Sequence, residues 1–517
     1  MSSIEYKYPA SFQKQDGYQI LIFLVFSISV IIKSYFQGYL SPDSIEYLAL
    51  AQNLLNGNGY FLFTGYWLST NNTGQEGNFF AVFPAGYPTL IYIVSKLTGF
   101  SVYWASKLLS ILIAMGILLF FRNLFNKDAY IYSLIILFAS YLEIFTYTWS
   151  ETIFIFSLVW FSVSLLKVIN SPINSWPIFI NLTMAAIALF LSRYIGAFSI
   201  GVIGFLALYY LFIMKDYKRA FILLTISLAS FILISVYLYN NYLETGSLTG
   251  IVRFAATETN FYLLLKLIKA IFAESVIPIH SIKSDTVLIF FIYFILQFGL
   301  IFILWFKYKS SIKKHLVFIK PNRLTLVFSI IGLTYLFFIV LMRWFIYFDG
   351  YDFRLIAPGT FLLFIALISH ILDIMTIKGK RILIYFLLLF SLISLLLNLP
   401  RQGALDLLID NNFNNSEYNI TKQNILNLYQ KVEKNSIVVF PHGYLKFNRL
   451  DLQLEVPYSL PYVKEKEEWS DFLNRIDSTK SRQIYMMVPN KLDDTSYSQS
   501  VIDAISKYKS NTLVLIQ

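Results

Sequence analysis

Apolar stretches of roughly 20 residues, the length that crosses a bilayer core, recur through the first 400 positions, separated by short polar turns. Eleven are read as membrane spans: 17–36, 101–122, 128–146, 150–168, 176–192, 194–214, 219–240, 285–306, 324–346, 354–376 and 381–400. The run 84–98 is also apolar, but it is short and interrupted by Gly86 and Pro88. It is expected to be an interfacial or re-entrant element. Past Pro400 the pattern changes to polar and Asn-rich sequence. Ser436–Phe440, Gln483–Val488 and Thr512–Ile516 then read as short strands, and 464–476 and 497–508 as helices. The pattern predicts an all-α polytopic membrane protein over 1–400, with about 11 transmembrane helices. A linker and a small α/β domain follow over 401–517.

Composition agrees with this picture. The chain of 517 residues is 57% hydrophobic and 14% charged, against about 25% charged in ordinary soluble domains. The net charge of +11 could signal nucleic acid. The basic residues, however, sit mostly in short loops between apolar runs, where they set topology instead. Those loops carry Arg122 and Lys127, then Lys167, then Lys215, Lys218 and Arg219, then the cluster Lys307–Arg323, then Lys378, Lys380 and Arg381. They alternate correctly with a cytoplasmic N-terminus. The segments 37–100, 241–284 and 401–517 then share the extracytoplasmic side of a plasma (cytoplasmic or inner) membrane. The run Ile20–Ile32 lacks a small-residue cleavage site and is expected to be the first span, not a signal peptide. There is no cysteine, so disulfides and a thiolate nucleophile are excluded.

The most informative stretch is SPDSIEYLALAQNLLNGNG, Ser41–Gly59. Ser41 suits a helix N-cap, Pro42 the first helical position, and Asp43 the first turn. Leu48, Ala51, Leu54 and Leu55 form a stripe at helical spacing, and Gly57 suits the stop. The helix is expected on the membrane surface. An acid in a first turn is favoured by the helix dipole alone, so position by itself leaves the role of Asp43 open.

With FPAGYPTL at Phe83–Leu90, this stretch resembles the first extracytoplasmic loop of the C-type, integral-membrane glycosyltransferases. It is closest to bacterial relatives of the family 39 dolichyl-phosphate-mannose protein mannosyltransferases, a group that includes aminoarabinose transferases. The matching residues are Pro42-Asp43, Tyr47, Ala51, Gly57-Asn58-Gly59 and Pro84-Ala85-Gly86-Tyr87-Pro88. Four fragments follow in order: SETIF at Ser150–Phe154, SRYIG at Ser192–Gly196, NYLETGSLTG at Asn241–Gly250 and FRLIAPGTF at Phe353–Phe361. Asp43-Ser44 stands where many protein mannosyltransferases have Asp-Glu, which counts against a protein acceptor. The resemblance covers about 1–400 and does not extend to the tail.

The resemblance implies transfer of a monosaccharide from a polyprenyl-phosphate donor to a glycan, lipid or protein hydroxyl, outside the cytoplasm. It gives Asp43 the role of general base, a step typically worth about 10²–10⁴-fold. Glu151 reads as a second catalytic carboxylate, orienting the acceptor or holding a cation, or as a simple helix-start acid. Arg193, Arg354 and Arg343 lie at extracytoplasmic span ends. They can grip phosphate bidentately or snorkel to the interface. Glu46 and Tyr87 are further candidates for substrate contact. Glu143 reads as a solvated loop acid, and Lys266 and Lys269 as weaker headgroup candidates. The four histidines form no metal-ligand pair, so no metal site or cofactor is predicted and a divalent cation is left open. No Gly-rich phosphate loop supports a nucleotide-sugar donor. The rival readings are a lipid-linked glycan transporter or flippase, and a glycan polymerase or ligase using a lipid-pyrophosphate oligosaccharide. A transporter would need ionisable groups buried in mid-span; the candidates gather instead at one face.

Cysteines introduced at Asn72 and Ser478 are expected to react together with an impermeant thiol reagent in intact cells. Protection of either one until lysis would reverse the topology.

Overall fold

The computed structural model describes residues 14–62, 78–170, 176–250, 258–280, 287–316, 322–346, 348, 351–375, 377–399, 417–442, 445–449, 451–457, 467–477, 479–489 and 497–517. Two compact units emerge. One comprises Met1–Ser34, Lys107–Val236 and Arg253–Arg401; the other comprises Tyr35–Ser106, Tyr237–Val252 and Gln402–Gln517.

In chain order the elements begin with α1 (Lys14–Gln37), α2 (Pro42–Leu55), β1 (Phe61–Leu62), β2 (Asn78–Phe79), α3 (Gly86–Thr98) and α4 (Val102–Phe125). Next come α5 (Ala129–Ser133), α6 (Ala139–Thr146), α7 (Glu151–Asn170), α8 (Trp176–Ser192), α9 (Phe198–Phe212) and α10 (Tyr217–Thr245). They are followed by α11 (Asn260–Glu274), α12 (Val287–Leu316), α13 (Arg323–Phe345), α14 (Phe353–Ile374) and α15 (Ile377–Asn398). The tail holds α16 (Glu417–Leu428), β3 (Ile437–Val439), α17 (Leu445–Asn448), β4 (Gln453–Glu455), α18 (Trp469–Ile476), β5 (Ile484–Met487), α19 (Gln499–Ser506) and β6 (Leu513–Leu515).

Eight helical stretches among the described residues are long and apolar enough to cross a membrane, and the chain is a multi-pass membrane protein. The helix Trp176–Ser192 and the part Val287–Ile303 of α12 are apolar but shorter. The remaining expected span, 128–146, is not one helix. It breaks into α5, a 3₁₀ turn at Leu134–Leu137 and α6, with Phe138 extended at φ −67° and ψ 148°. The amide of Ala139 leaves the helical ladder and donates to the Ile277 carbonyl at 3.0 Å. Protein surrounds this segment: from Ile131 to Thr146 every side chain except that of Glu143 is buried. Irregular backbone at membrane depth is tolerated only where protein or trapped water satisfies it. The run 84–98 forms the 13-residue helix α3, too short to cross.

In the first unit, α14 packs against α13, α7, α11 and α6. Pro358 lies inside α14 and removes the amide that would bond the Arg354 carbonyl. One residue along, the Leu355 carbonyl accepts a bond from the Tyr335 hydroxyl of α13 at 2.8 Å.

In the second unit, α2 packs against α3, and the short tail helix α17 also packs against α2. The tail sheet has strand order β4-β3-β5-β6, parallel except for β6. One face of it is covered by Phe472 and Ile476 of α18 and Val501 and Ile505 of α19. The other is covered by Ile425, Tyr429 and Val432 in and after α16. The three expected strands bracket β3, β5 and β6. Strand β4 and helix α16 were not expected; the expected linker falls partly outside the described residues.

Glu274, the last residue of α11, ties three helices of the first unit together. Ser140 Oγ of α6 donates to its Oε2 at 2.6 Å, and Thr360 Oγ1 of α14 lies 3.1 Å from its Oε1. The carboxyl lines a largely apolar cavity of about 660 Å³, among Phe138, Phe298, Leu363 and Phe386. Burial pushes its pKa up to about 8. Between the unfolded value near 4.5 and the folded value near 8, the native state holds one proton more than the unfolded state. Stability therefore falls as pH rises through that window, by about 1.4 kcal/mol per unit. Thermal unfolding in detergent is expected to lose this pH dependence in Glu274→Gln. An unaltered slope would place the titration elsewhere.

Candidate active site

The helix carrying Asp43 starts as its sequence dictates. Ser41 is extended (φ −112°, ψ 170°), and its Oγ accepts from the Ser44 amide at 3.2 Å. Pro42 occupies the first turn, and Asp43 is half-buried beside it. Gly57, at φ 80°, follows the helix end. The middle of α2, from Glu46 to Ala51, is core. Glu46 is 7% exposed and Tyr47 2%. Tyr87 is fully buried, its ring edge-on to Tyr47 at 5.1 Å. Tyr47 also meets Phe83 at 4.8 Å. In this unit, then, the FPAGYP turn serves as the aromatic backing of the Asp43 helix.

In the other unit, three of the residues singled out from sequence come together. Glu151 opens α7 and is fully buried. Arg193 follows α8 in extended conformation (φ −155°, ψ 139°), and Arg354 sits in the first turn of α14, which Asp352 caps. Arg193 Nη1 and Arg354 Nε both reach Glu151 Oε1. Glu151 Oε2 is buried with no hydrogen-bond partner among the described residues. The guanidinium of Arg354 lies 4.6 Å over the Trp149 ring, which stacks on Tyr147 at 4.1 Å. The two arginines keep 23% and 12% of their side chains exposed. Two guanidinium groups thus converge on one carboxylate, with Asp352 capping the helix that carries Arg354. Guanidinium suits phosphate geometry.

Gly196 shapes the Arg193 turn. The Arg193 amide donates to the Leu189 carbonyl at 3.2 Å, and the Gly196 amide to the Arg193 carbonyl at 2.8 Å. A Cβ on Gly196 would stand 2.2 Å from the Leu189 carbonyl oxygen.

Arg343 is elsewhere. It is 1% exposed and pairs through Nη2 with both oxygens of Glu258, at 2.7 and 2.6 Å, and Lys266 adds a 3.6 Å contact to Glu258. Trp344 Nε1 donates to Asn260 at 2.7 Å. These contacts tie the start of α11 to the end of α13.

Two cations escaped the sequence reading. Lys33, in α1, is fully buried with its Nζ 3.0 Å from Glu143 Oε2. Glu143 is therefore an ion-pair partner, not the solvated loop acid expected from sequence. Lys107, in α4, is 1% exposed and donates to the Thr146 carbonyl at 2.6 Å and Thr148 Oγ1 at 3.1 Å. A signal for both was present: an ionisable residue inside an apolar run marks function by default. Among the described residues, no three or more His, Asp or Glu gather as a metal-holding group.

No protein-family model and no curated protein matches the chain. Solved structures do. The chain has the polytopic fold of the C-type glycosyltransferases. The structure that shows this is ArnT from Cupriavidus metallidurans bound to undecaprenyl phosphate, with TM-score 0.55 and 12% identity over 97% of this chain and 97% of that chain. An Archaeoglobus fulgidus oligosaccharyltransferase in complex with Zn and sulfate has TM-score 0.48 and 14% identity, over 91% of this chain and 68% of that one.

Gly196→Ala is expected to force the Leu189–Arg193 turn apart. The cost should fall in the usual overpacking range of about 1–3 kcal/mol, read as a lowered thermal midpoint. An unchanged midpoint would show that the turn can open freely.

Proposed function

We propose that the chain is a membrane glycosyltransferase of the extracytoplasmic face. In this reading it transfers a monosaccharide from a polyprenyl-phosphate donor to an acceptor hydroxyl on a glycan, lipid or protein. The observation that carries the reading is the convergence of Arg193 and Arg354, at two helix ends, on the buried Glu151. The fold is shared with an ArnT whose structure holds undecaprenyl phosphate, a lipid whose headgroup suits such a cluster.

The roles follow from the chemistry. Arg193 and Arg354 hold the donor phosphate, the leaving group, where a bidentate fork resists rotation and a dry surround strengthens each contact. Glu151 fixes both guanidinium groups through one oxygen. Asp43 takes the proton of the acceptor hydroxyl as that oxygen attacks the anomeric carbon. The bond from that carbon to the phosphate oxygen then breaks, and its electron pair leaves with the phosphate. Glu46 and Tyr87 shape and back the Asp43 helix, and Arg343 anchors the segment entering α11. The chain is read as resident in the plasma or inner membrane with its N-terminus cytoplasmic.

Purified protein given a polyprenyl-phosphate sugar and an envelope extract should release polyprenyl phosphate only when acceptor is present. Asp43→Asn retains the capping geometry but cannot accept the proton. It should lower turnover about 100-fold or more while binding of undecaprenyl phosphate persists. Near-normal turnover by folded Asp43→Asn protein would remove the base assignment.

A further inference from the structure

The corner between α6 and α7 is held from two sides by buried lysines. Lys33 grips Glu143. Lys107 reaches from α4 to the Thr146 carbonyl and the Thr148 hydroxyl. Thr146 is the last residue of α6, whose terminal carbonyls carry the negative end of the helix dipole. A buried ammonium settles only where its hydrogen bonds are well made, and these two oxygens belong to a single turn.

That turn leads directly into the proposed anion site. One residue past Thr148 lies Trp149, the ring under Arg354. Two residues further is Glu151, the acid shared by Arg354 and Arg193. Trp149 is 7% exposed, with Tyr147 stacked on it. Its carbonyl accepts from the Thr152 amide and hydroxyl at 3.3 and 2.9 Å. The path from Lys107 to Arg354 is thus one rigid turn of backbone and one aromatic ring. Without the ammonium, the Thr146 carbonyl and Thr148 hydroxyl would lose a shared donor that joins them to α4.

We infer that Lys107 is a positioning residue, which fixes the Thr146–Glu151 corner and through it sets Arg354 for the donor phosphate. This rests on the reading of Arg193 and Arg354 as the phosphate site. It adds a residue that touches no reacting atom.

Two measurements on the full-length protein in detergent test it. The first is phenylglyoxal labelling of Arg354, quantified by peptide mass spectrometry, which needs no substrate. The second is binding of undecaprenyl phosphate. Lys107→Met, and the milder Thr148→Val, should speed labelling of Arg354 and weaken binding. The Lys107→Met effect on each should be about tenfold, the size expected for one hydrogen bond to a charged group. In a double-mutant cycle with Arg354→Lys, the binding losses should overlap and not multiply. A lowered thermal midpoint with Arg354 labelling unchanged in both variants, while wild type binds normally, would overturn the positioning role alone. Multiplicative losses in the cycle would overturn it too. Wild-type protein that binds no undecaprenyl phosphate would overturn the phosphate-site reading and the donor half of this proposal with it. The labelling result would still judge the corner by itself.

Discussion

Glu151 carries no exposed surface, yet it is ionisable and sits at the head of a spanning helix. An uncompensated charge there would be very costly, so its surroundings are built to compensate it. Arg193 arrives from the end of α8 and Arg354 from the start of α14, and both settle on one carboxylate oxygen. Three apolar helices are thereby registered at one end. Removing either guanidinium would leave the buried carboxylate held from one side only, so the cluster constrains the packing of α7 with α8 and α14 as much as it constrains any ligand.

The apolar body of the unit is arranged to suit this end. Glu274 adds a second polar tie, through Ser140 and Thr360, between α6, α11 and α14. The cluster uses full charges. The tie uses an acid held neutral by burial at ordinary pH. The difference follows from surroundings: Glu274 meets hydroxyl groups and an apolar cavity, whereas Glu151 meets two guanidinium groups.

Most of the span pattern was legible because a 20-residue apolar run has few alternatives. The start of α2 was legible for a local reason: Ser41, Pro42 and Asp43 each have one favoured place at a helix N-terminus. What periodicity could not reveal depended on distant chain. The break at Phe138 exists because the Ile277 carbonyl, far along the sequence, accepts the Ala139 amide. Nothing within 128–146 announces that acceptor. Strand β4, Gln-Leu-Glu, is three residues long and alternates too briefly to register, although β3 pairs with it in parallel. The SETIF, SRYIG and FRLIAPGTF fragments marked the residues that meet on Glu151; span ends on one side already put Arg193 and Arg354 within reach of one phosphate, but neither spacing nor residue type foretold that Glu151 joins them. Lys107 was visible as the one charge between Val102 and Phe121 and was passed over as part of a span.

The separation of Glu151 and Arg354 by 203 positions also has a temporal side. At about 5–20 residues per second of synthesis, α7 leaves the ribosome roughly 10–40 s before its second cation exists. Arg193 belongs to the next helical hairpin, so during that interval the acid has at most one counter-ion. The cluster therefore closes late in biogenesis, once the first turn of α14 has emerged. Until then Glu151 has only the earlier of its two arginines, and the register of α14 against α7 is not yet fixed by this contact. A chain stopped before residue 353 would hold the acid without the second guanidinium that meets it in the complete protein.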